Sequence, residues 1–296
     1  MRLPTIKQLQ YFLALCETRH FGRAAEASFV SQSAFSAAIQ ELEATLDCQL
    51  VDRTNRQVTI TAAGQDIETQ AQLCIRDVES LVEMAGQQRR PLSGQLRLGV
   101  IPTIAPFVLP KVLPRLRRKF RDLRLYLVED QTLRVHERLL AGELDVILLA
   151  LPFDLRSVEF MDLFGDRFLL ACRENTSLVD PDNYRFNRLN AESVLLLEDG
   201  HCLREHALAA CRIRDTEKVS RFGASSLLTL VEMVDADLGI TFLPEMARGS
   251  ALLRNTRVKL YEVDERSQRR IGLAWRKGSA RDEEFRLLGN FITDNR

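Results

Sequence analysis

The chain has 296 residues, 46% hydrophobic and 28% charged, which is enough for more than one domain and for cores that need no disulfide scaffold. Basic and acidic side chains each number 41, so the formal net charge is zero, and residues 1–60 also balance at six of each. Bulk charge excludes a polybasic nucleic-acid or membrane binder, so any DNA interaction must rest on local arrangement. The longest apolar run, Val146 to Phe153, is far too short for a membrane span. Gln8 and Gln10 interrupt any secretion-signal core, so the chain reads as cytoplasmic. In that compartment cysteine pairs are usually catalytic or redox-sensing.

In chain order, residues 4–18 read as a helix, with Leu9, Phe12, Leu13 and Cys16 at helical spacing. Phe21, Ala24, Ala25 and Val30 mark a short second helix. Ser31 then caps a third, whose buried stripe is Phe35, Ile39, Leu42 and Leu46. Arg53 to Thr61 alternates like a wing hairpin. From Thr61 to about Gln88 a long helix carries Ile67, Ala71, Cys74, Val78, Leu81 and Ala85 as an a/d seam, a plausible dimer contact. Arg89 to Gly94 reads as a linker.

After Gly94 strands and helices alternate. Gln95–Ile101, Leu123–Glu129 and Asp145–Ala150 read as strands, and Leu109–Phe120 and Gln131–Ala141 as helices. This is the pattern of an α/β domain with a largely parallel sheet. A second run follows: strands at Phe168–Cys172, Ser193–Leu197, around Phe222 and Ile240–Leu243, helices at 201–212 and Leu227–Val234, and a last strand at Ile271–Trp275. Two such subdomains meet at a cleft, where open α/β sheets bind ligands.

Helix, tight turn, helix and wing form a winged helix-turn-helix pattern. Its third helix enters the major groove by its first turn. There Gln32 can pair with an adenine edge, and Ser31, Ser33 and Ser36 can approach bases or phosphates. Arg53 and Arg56 on the wing can reach phosphate or the minor groove. The competing reading is a small helical bundle with a solvated polar face.

Cys202 and Cys211 flank one helical stretch. Asp199 and Gly200 suit a helix start, and the helix N-terminus and a protonated His201 would lower the Cys202 pKa. The alternative is an ordinary half-buried thiol. If 202–211 is helical, nine residues of rise, roughly 13 Å, separate the cysteines, whereas a disulfide needs Cα atoms within about 7 Å. Bonding them therefore requires the segment to unwind. Sulfenic acid at Cys202, resolved by Cys211, is a chemical route. A zinc site from His201, Cys202, His206 and Cys211 fails because Cys211 faces away from the others on one helix.

The segments Phe21–Glu26, Val30–Ser36, Leu42–Glu43, Arg53–Thr54 and Thr61–Gly64 resemble the N-terminus of LysR-type transcriptional regulators. That resemblance covers essentially the whole chain. It implies a winged helix-turn-helix over 1–60, a linker and dimerisation helix over 61–92, and an α/β regulatory domain like a periplasmic binding protein over 93–296. The regulatory domain would comprise subdomain I, about 93–165 and 270–296, and subdomain II, about 166–269.

Leu196–Arg204 with Cys211, Ile101–Thr103, Glu129–Thr132 and Arg269–Leu273 are similar to the peroxide-sensing branch of that family. By that resemblance Cys202 is the peroxidatic cysteine and Cys211 the resolving one. Thr103, Thr132 and His201 line a hydrogen peroxide pocket, and Arg269, or Arg270 one step on, stabilises the thiolate. The resemblance further implies a non-enzymatic activator of oxidative-stress genes. It would be a homotetramer on double-stranded operator DNA, acting on RNA polymerase and reset by glutaredoxin or thioredoxin, with no cofactor, metal or membrane. Ser33 departs from the usual proline, and Asp235 and Asp237 make their segment unusually acidic. Competing readings are a LysR-type regulator answering a metabolite in the cleft, with inert cysteines, and a thiol peroxidase.

Overall fold

The computed structural model describes residues 3–53, 58–86, 92–200, 202–210, 216–263 and 267–296. Arg56, His201 and Cys211 lie outside the described residues. The chain packs into two units, residues 1–90 with 141–143, and 91–140 with 144–296.

In the first unit α1 (Ile6–Thr18) starts with a reciprocal cap. Gln8 N–H donates to the Thr5 hydroxyl, and Thr5 N–H donates to the Gln8 side chain at 2.8 Å. The His20 ring accepts from the amides of Gly22 and Arg23 and starts α2 (Phe21–Ala27). Ser31 accepts from Ala34 N–H and starts α3 (Gln32–Leu46). Phe12, Leu15, Phe35, Ile39 and Leu42 are fully buried together, each worth roughly 1.5–3 kcal/mol by burial. The hairpin of β1 (Val51–Arg53) and β2 (Val58–Ile60) is antiparallel. Glu43 Oε1 accepts from the amides of Leu50 and Val51, fastening the hairpin's base to α3. The long α4 (Ala62–Gly86) begins against this base. A Cβ on Gly64 would sit 2.3 Å from the Leu50 carbonyl oxygen, so only glycine allows that approach.

The second unit contains β3 (Gly94–Val100), α5 (Ala105–Lys119), β4 (Leu123–Glu129), α6 (Thr132–Leu140), β5 (Val146–Leu151) and β6 (Val158–Arg173). There follow β7 (Val194–Leu197), α7 (Cys202–Ala210), β8 (Val219–Ala224), α8 (Leu227–Asp235), β9 (Thr241–Pro244), β10 (Val258–Glu262), β11 (Gln268–Arg276) and α9 (Asp282–Asn295).

The seven-stranded sheet has the order β10-β6-β11-β5-β3-β4, with β9 also on β6. The expectation of a largely parallel sheet is corrected: only β4 and β5 run parallel to β3, and β11, β6, β9 and β10 all pair antiparallel. The cause is the 16-residue β6, which passes from one hydrophobic core to the other, and β11, which returns against it. The sequence pattern marks only the last part of β6 and misses β10 and α9. It also starts α5 four residues late. Pro106 falls in the first turn, where its missing N–H costs nothing, and the helix continues through Pro110 and Pro114.

Candidate functional site

The predicted residues fall into two groups, one in each unit. The first lies on the opening turn of α3. Ser31, Gln32 and Ser33 are exposed and Ser36 is half-buried, while Phe35 and Ile39 point inward. Ser31 and Ser33 share a hydroxyl hydrogen bond at 3.1 Å, so Ser33 supplies a polar link where proline would give rigidity. Arg53 ends β1.

The second group lies where strands β3 and β4 end and α7 begins. Thr103 follows β3, Thr132 opens α6 after β4, Cys202 opens α7, and Arg269 is the second residue of β11. All four are buried. Strand alternation decides between the two arginines: Arg269 points inward, whereas Arg270 points outward to an ion pair with Asp162.

Arg269 organises the site. Its Nε donates to Asp166 Oδ2 at 3.0 Å, Nη1 to Thr103 Oγ1 at 3.0 Å, and Nη2 to the Thr103 carbonyl at 2.9 Å. Asp166 is its direct cross-strand partner on β6 and also accepts from Met246 N–H at 3.2 Å. Burial pushes the Asp166 carboxyl up, against the pull of Arg269. Asp166 is a site residue that the sequence reading missed. The available signal was strand alternation, which puts Arg269 on the same face as the apolar Ile271 and Leu273, because a buried guanidinium demands a carboxylate.

The Cys202 thiol lies within the influence of this cluster. Burial raises its pKa; Arg269 and the Thr132 hydroxyl work in the other direction. This corrects the expectation of a lowered value: at this helix start, desolvation outweighs the favourable charges, so the resting thiol keeps its proton. The Thr132 hydroxyl is buried with no hydrogen-bond partner among the described residues, which leaves it to act on the Cys202 thiol. Gly200, at φ +95°, packs against Gln131, where a Cβ would lie 2.6 Å from the amide oxygen. That contact holds the approach to Cys202 against the approach to Thr132.

One turn along α7, His206 is buried with Nε2 2.7 Å from the Pro152 carbonyl. Burial lowers its pKa, and Arg269 lowers it further. The helix lies between the two cores of this unit: Cys202 belongs to the first cluster, and Leu203 and Ala207 to the second. The described residues contain no grouping of three or more histidine, cysteine, aspartate or glutamate side chains fit to hold a metal. No described helix is long and apolar enough to cross a membrane.

In the acidic segment, Asp235 accepts from the Arg257 amide at 2.5 Å and ties α8 to the approach of β10. Asp237 adopts a positive φ of 61° just beyond α8. Both thus have local structural settings.

Two family models match: a bacterial regulatory helix-turn-helix protein of the lysR family over residues 6–65, and a LysR substrate binding domain over residues 89–296. The HTH-type transcriptional regulator EstR of Acinetobacter baylyi is 38% identical over 287 residues, covering 97% of this chain and 95% of EstR. The hydrogen peroxide-inducible genes activator of Escherichia coli O6:H1 is also 38% identical over 287 residues, covering 97% and 94%. A full-length OxyR variant from Pseudomonas aeruginosa has TM-score 0.79 and 29% identity, covering 99% of each chain.

Proposed function

The chain belongs to the LysR family of bacterial transcriptional regulators, and from that premise we propose that it is a peroxide-responsive DNA-binding activator switched at Cys202. The observation that carries the reading is the setting of this thiol: it is buried at a helix start, under the influence of the Thr132 hydroxyl and the Arg269 charge. A metabolite cleft needs no such sulfur.

Hydrogen peroxide enters the polar pocket of Thr103, Thr132 and Arg269, with His201 beside it in sequence, and oxidises Cys202 to the sulfenic acid. Cys211 condenses with it. From Cys202 to Ala210 the helix rises about 12 Å, so a disulfide to residue 211, which needs Cα atoms within about 7 Å, requires α7 to unwind. Because α7 contributes side chains to both cores, its loss frees the two halves of the regulatory unit to repack. The linker helix α4, with Leu81 and Val82 exposed, carries the change to a partner chain in a homotetramer. On the first turn of α3, Gln32 reads the operator and Ser31, Ser33 and Ser36 support it, with Arg53 and Arg56 on phosphate. RNA polymerase is then engaged, and glutaredoxin or thioredoxin resets the thiols in the cytoplasm.

The test is intact mass and free-thiol count after sub-stoichiometric peroxide, with Cys202→Ser and Cys211→Ser alongside. Rapid loss of two thiols with a mapped 202–211 bond is expected, and Cys211→Ser should stop at oxidised Cys202. Thiols that survive excess peroxide would leave a metabolite-responsive LysR-type regulator, and sustained peroxide turnover with a reductant would make the chain a peroxidase.

A further inference from the structure

The resting Cys202 needs a way to lose its proton. A thiol is a poor nucleophile until it becomes a thiolate. Arg269 supplies charge but cannot accept a proton, and the Thr132 hydroxyl is no base at neutral pH. Among the described residues two buried histidines carry a ring nitrogen with no partner, His136 on α6 and His206 on α7, and only His206 shares a helix with Cys202.

His206 is four residues beyond Cys202 on α7, so the two share a helix face with Cβ atoms about 5–6 Å apart. Helical side chains lean back toward the N-terminus, which turns the His206 ring toward the turn that begins with Cys202. Nε2 faces the Pro152 carbonyl at 2.7 Å. A carbonyl only accepts, so Nε2 carries the hydrogen and Nδ1 is left as a lone pair. That Nδ1, the ring nitrogen next to the backbone side, is buried and has no hydrogen-bond partner among the described residues. A buried acceptor without a donor calls for one, and the Cys202 thiol, one turn back on the same helix face, can supply it through one water. Among the described residues, the charged groups that act on His206 are Arg269 from β11 and Glu205 from α7 itself. Arg269 disfavours a lasting imidazolium, so a proton taken by Nδ1 is readily given up again.

We propose that His206 Nδ1 accepts the proton of the Cys202 thiol as peroxide arrives and then returns it to the leaving oxygen; this rests on Cys202 being the peroxide-reactive sulfur. The sulfur attacks one peroxide oxygen while its proton passes to Nδ1. The O–O bond breaks, and the departing hydroxide takes the proton from Nδ1 to become water. Cys202 is oxidised to the sulfenic acid and peroxide is reduced to water, with no further reactant.

The experiment follows Cys202 reaction in the full chain from pH 6 to 9, once with peroxide and once with iodoacetamide. Without an internal base, both rates would rise about tenfold per pH unit below the thiol pKa. With His206 as base, the wild-type rates stay nearly flat across that range. His206→Gln keeps an N–H for the Pro152 carbonyl but has no basic lone pair. It is expected to slow both reactions about 100-fold at pH 7 and to restore the steep dependence. A wild-type profile that is already steep overturns the proposal whether or not the variant folds. So does a variant that is unchanged, or slowed equally at every pH as a merely structural role would do. If the iodoacetamide profile depends on His206 while peroxide does not react at all, the base stands and the peroxide reading fails.

Discussion

The two functional regions use polar side chains in opposite ways. On α3 the polar residues are exposed and sit over a separate apolar face, so that reading DNA and holding the fold fall to different atoms. In the regulatory unit Thr103, Asp166, Arg269, Cys202 and His206 are themselves buried, and the same bonds both hold the subdomains and set the chemistry. A surface reader therefore tolerates change cheaply, whereas a buried sensor couples every change in tuning to stability.

The sharpest separation should come from Arg269→Met. It leaves Asp166 buried without its partner, and the expected loss is about 3–5 kcal/mol, read by urea unfolding of the regulatory unit. The double change with Asp166→Asn should recover most of it. Full additivity of the two single losses would mean that the pair is not coupled and would break the comparison.

The next effect lies in the first unit. Burial, with Glu68 adding to it, pushes the Cys16 thiol from its ordinary 9.0 up to about 12. The fold therefore keeps a proton that the unfolded chain releases. Stability is full below pH 9 and falls as pH climbs through that window, by up to about 1.4 kcal/mol per pH unit. Cys16→Ala should remove this excess alkaline slope in denaturation measured at pH 8, 9 and 10. In the regulatory unit Cys172, raised to about 11 by burial, has the same sign over a narrower range.

For the reader, Gln32→Ala should weaken operator binding by about 1–3 kcal/mol and shift stability by no more than about 0.5 kcal/mol, measured by fluorescence anisotropy and thermal melting. A large stability loss would mean that the α3 face is not separable from its core. The smallest effect is Ser33→Pro. Proline is tolerated in a first turn and restricts the unfolded chain, so a gain of about 0.4–1 kcal/mol is expected, at the expense of the Ser31–Ser33 hydroxyl bond.

The same contrast explains what the sequence made legible. The cap at Ser31, the stripe of Phe35, Ile39 and Leu42 and the spacing of Leu9, Phe12 and Cys16 are local signals, and the first and third helices followed from them. Thr103, Thr132 and Arg269 were found by resemblance alone, because single threonines after strands look like ordinary caps. The Arg269–Asp166 bond joins residues 103 positions apart and has no local signature. His206 entered only as a failed zinc ligand; its role depends on Pro152, which is distant in sequence. The long β6 escaped because it changes cores midway, so no single burial period runs through it. The helix α9 was legible, with three acidic residues in its first turn and Phe285, Leu288, Phe291 and Ile292 along one face, but was not read.

The central claim is that oxidation at Cys202 unwinds α7. Amide hydrogen exchange across residues 206–210, whose N–H groups close the helix onto residues 202–206, tests it most directly. Protection in the reduced chain that disappears after one equivalent of peroxide, and returns with thiol reductant, is the predicted result. Equal protection before and after a mass-verified oxidation would contradict it.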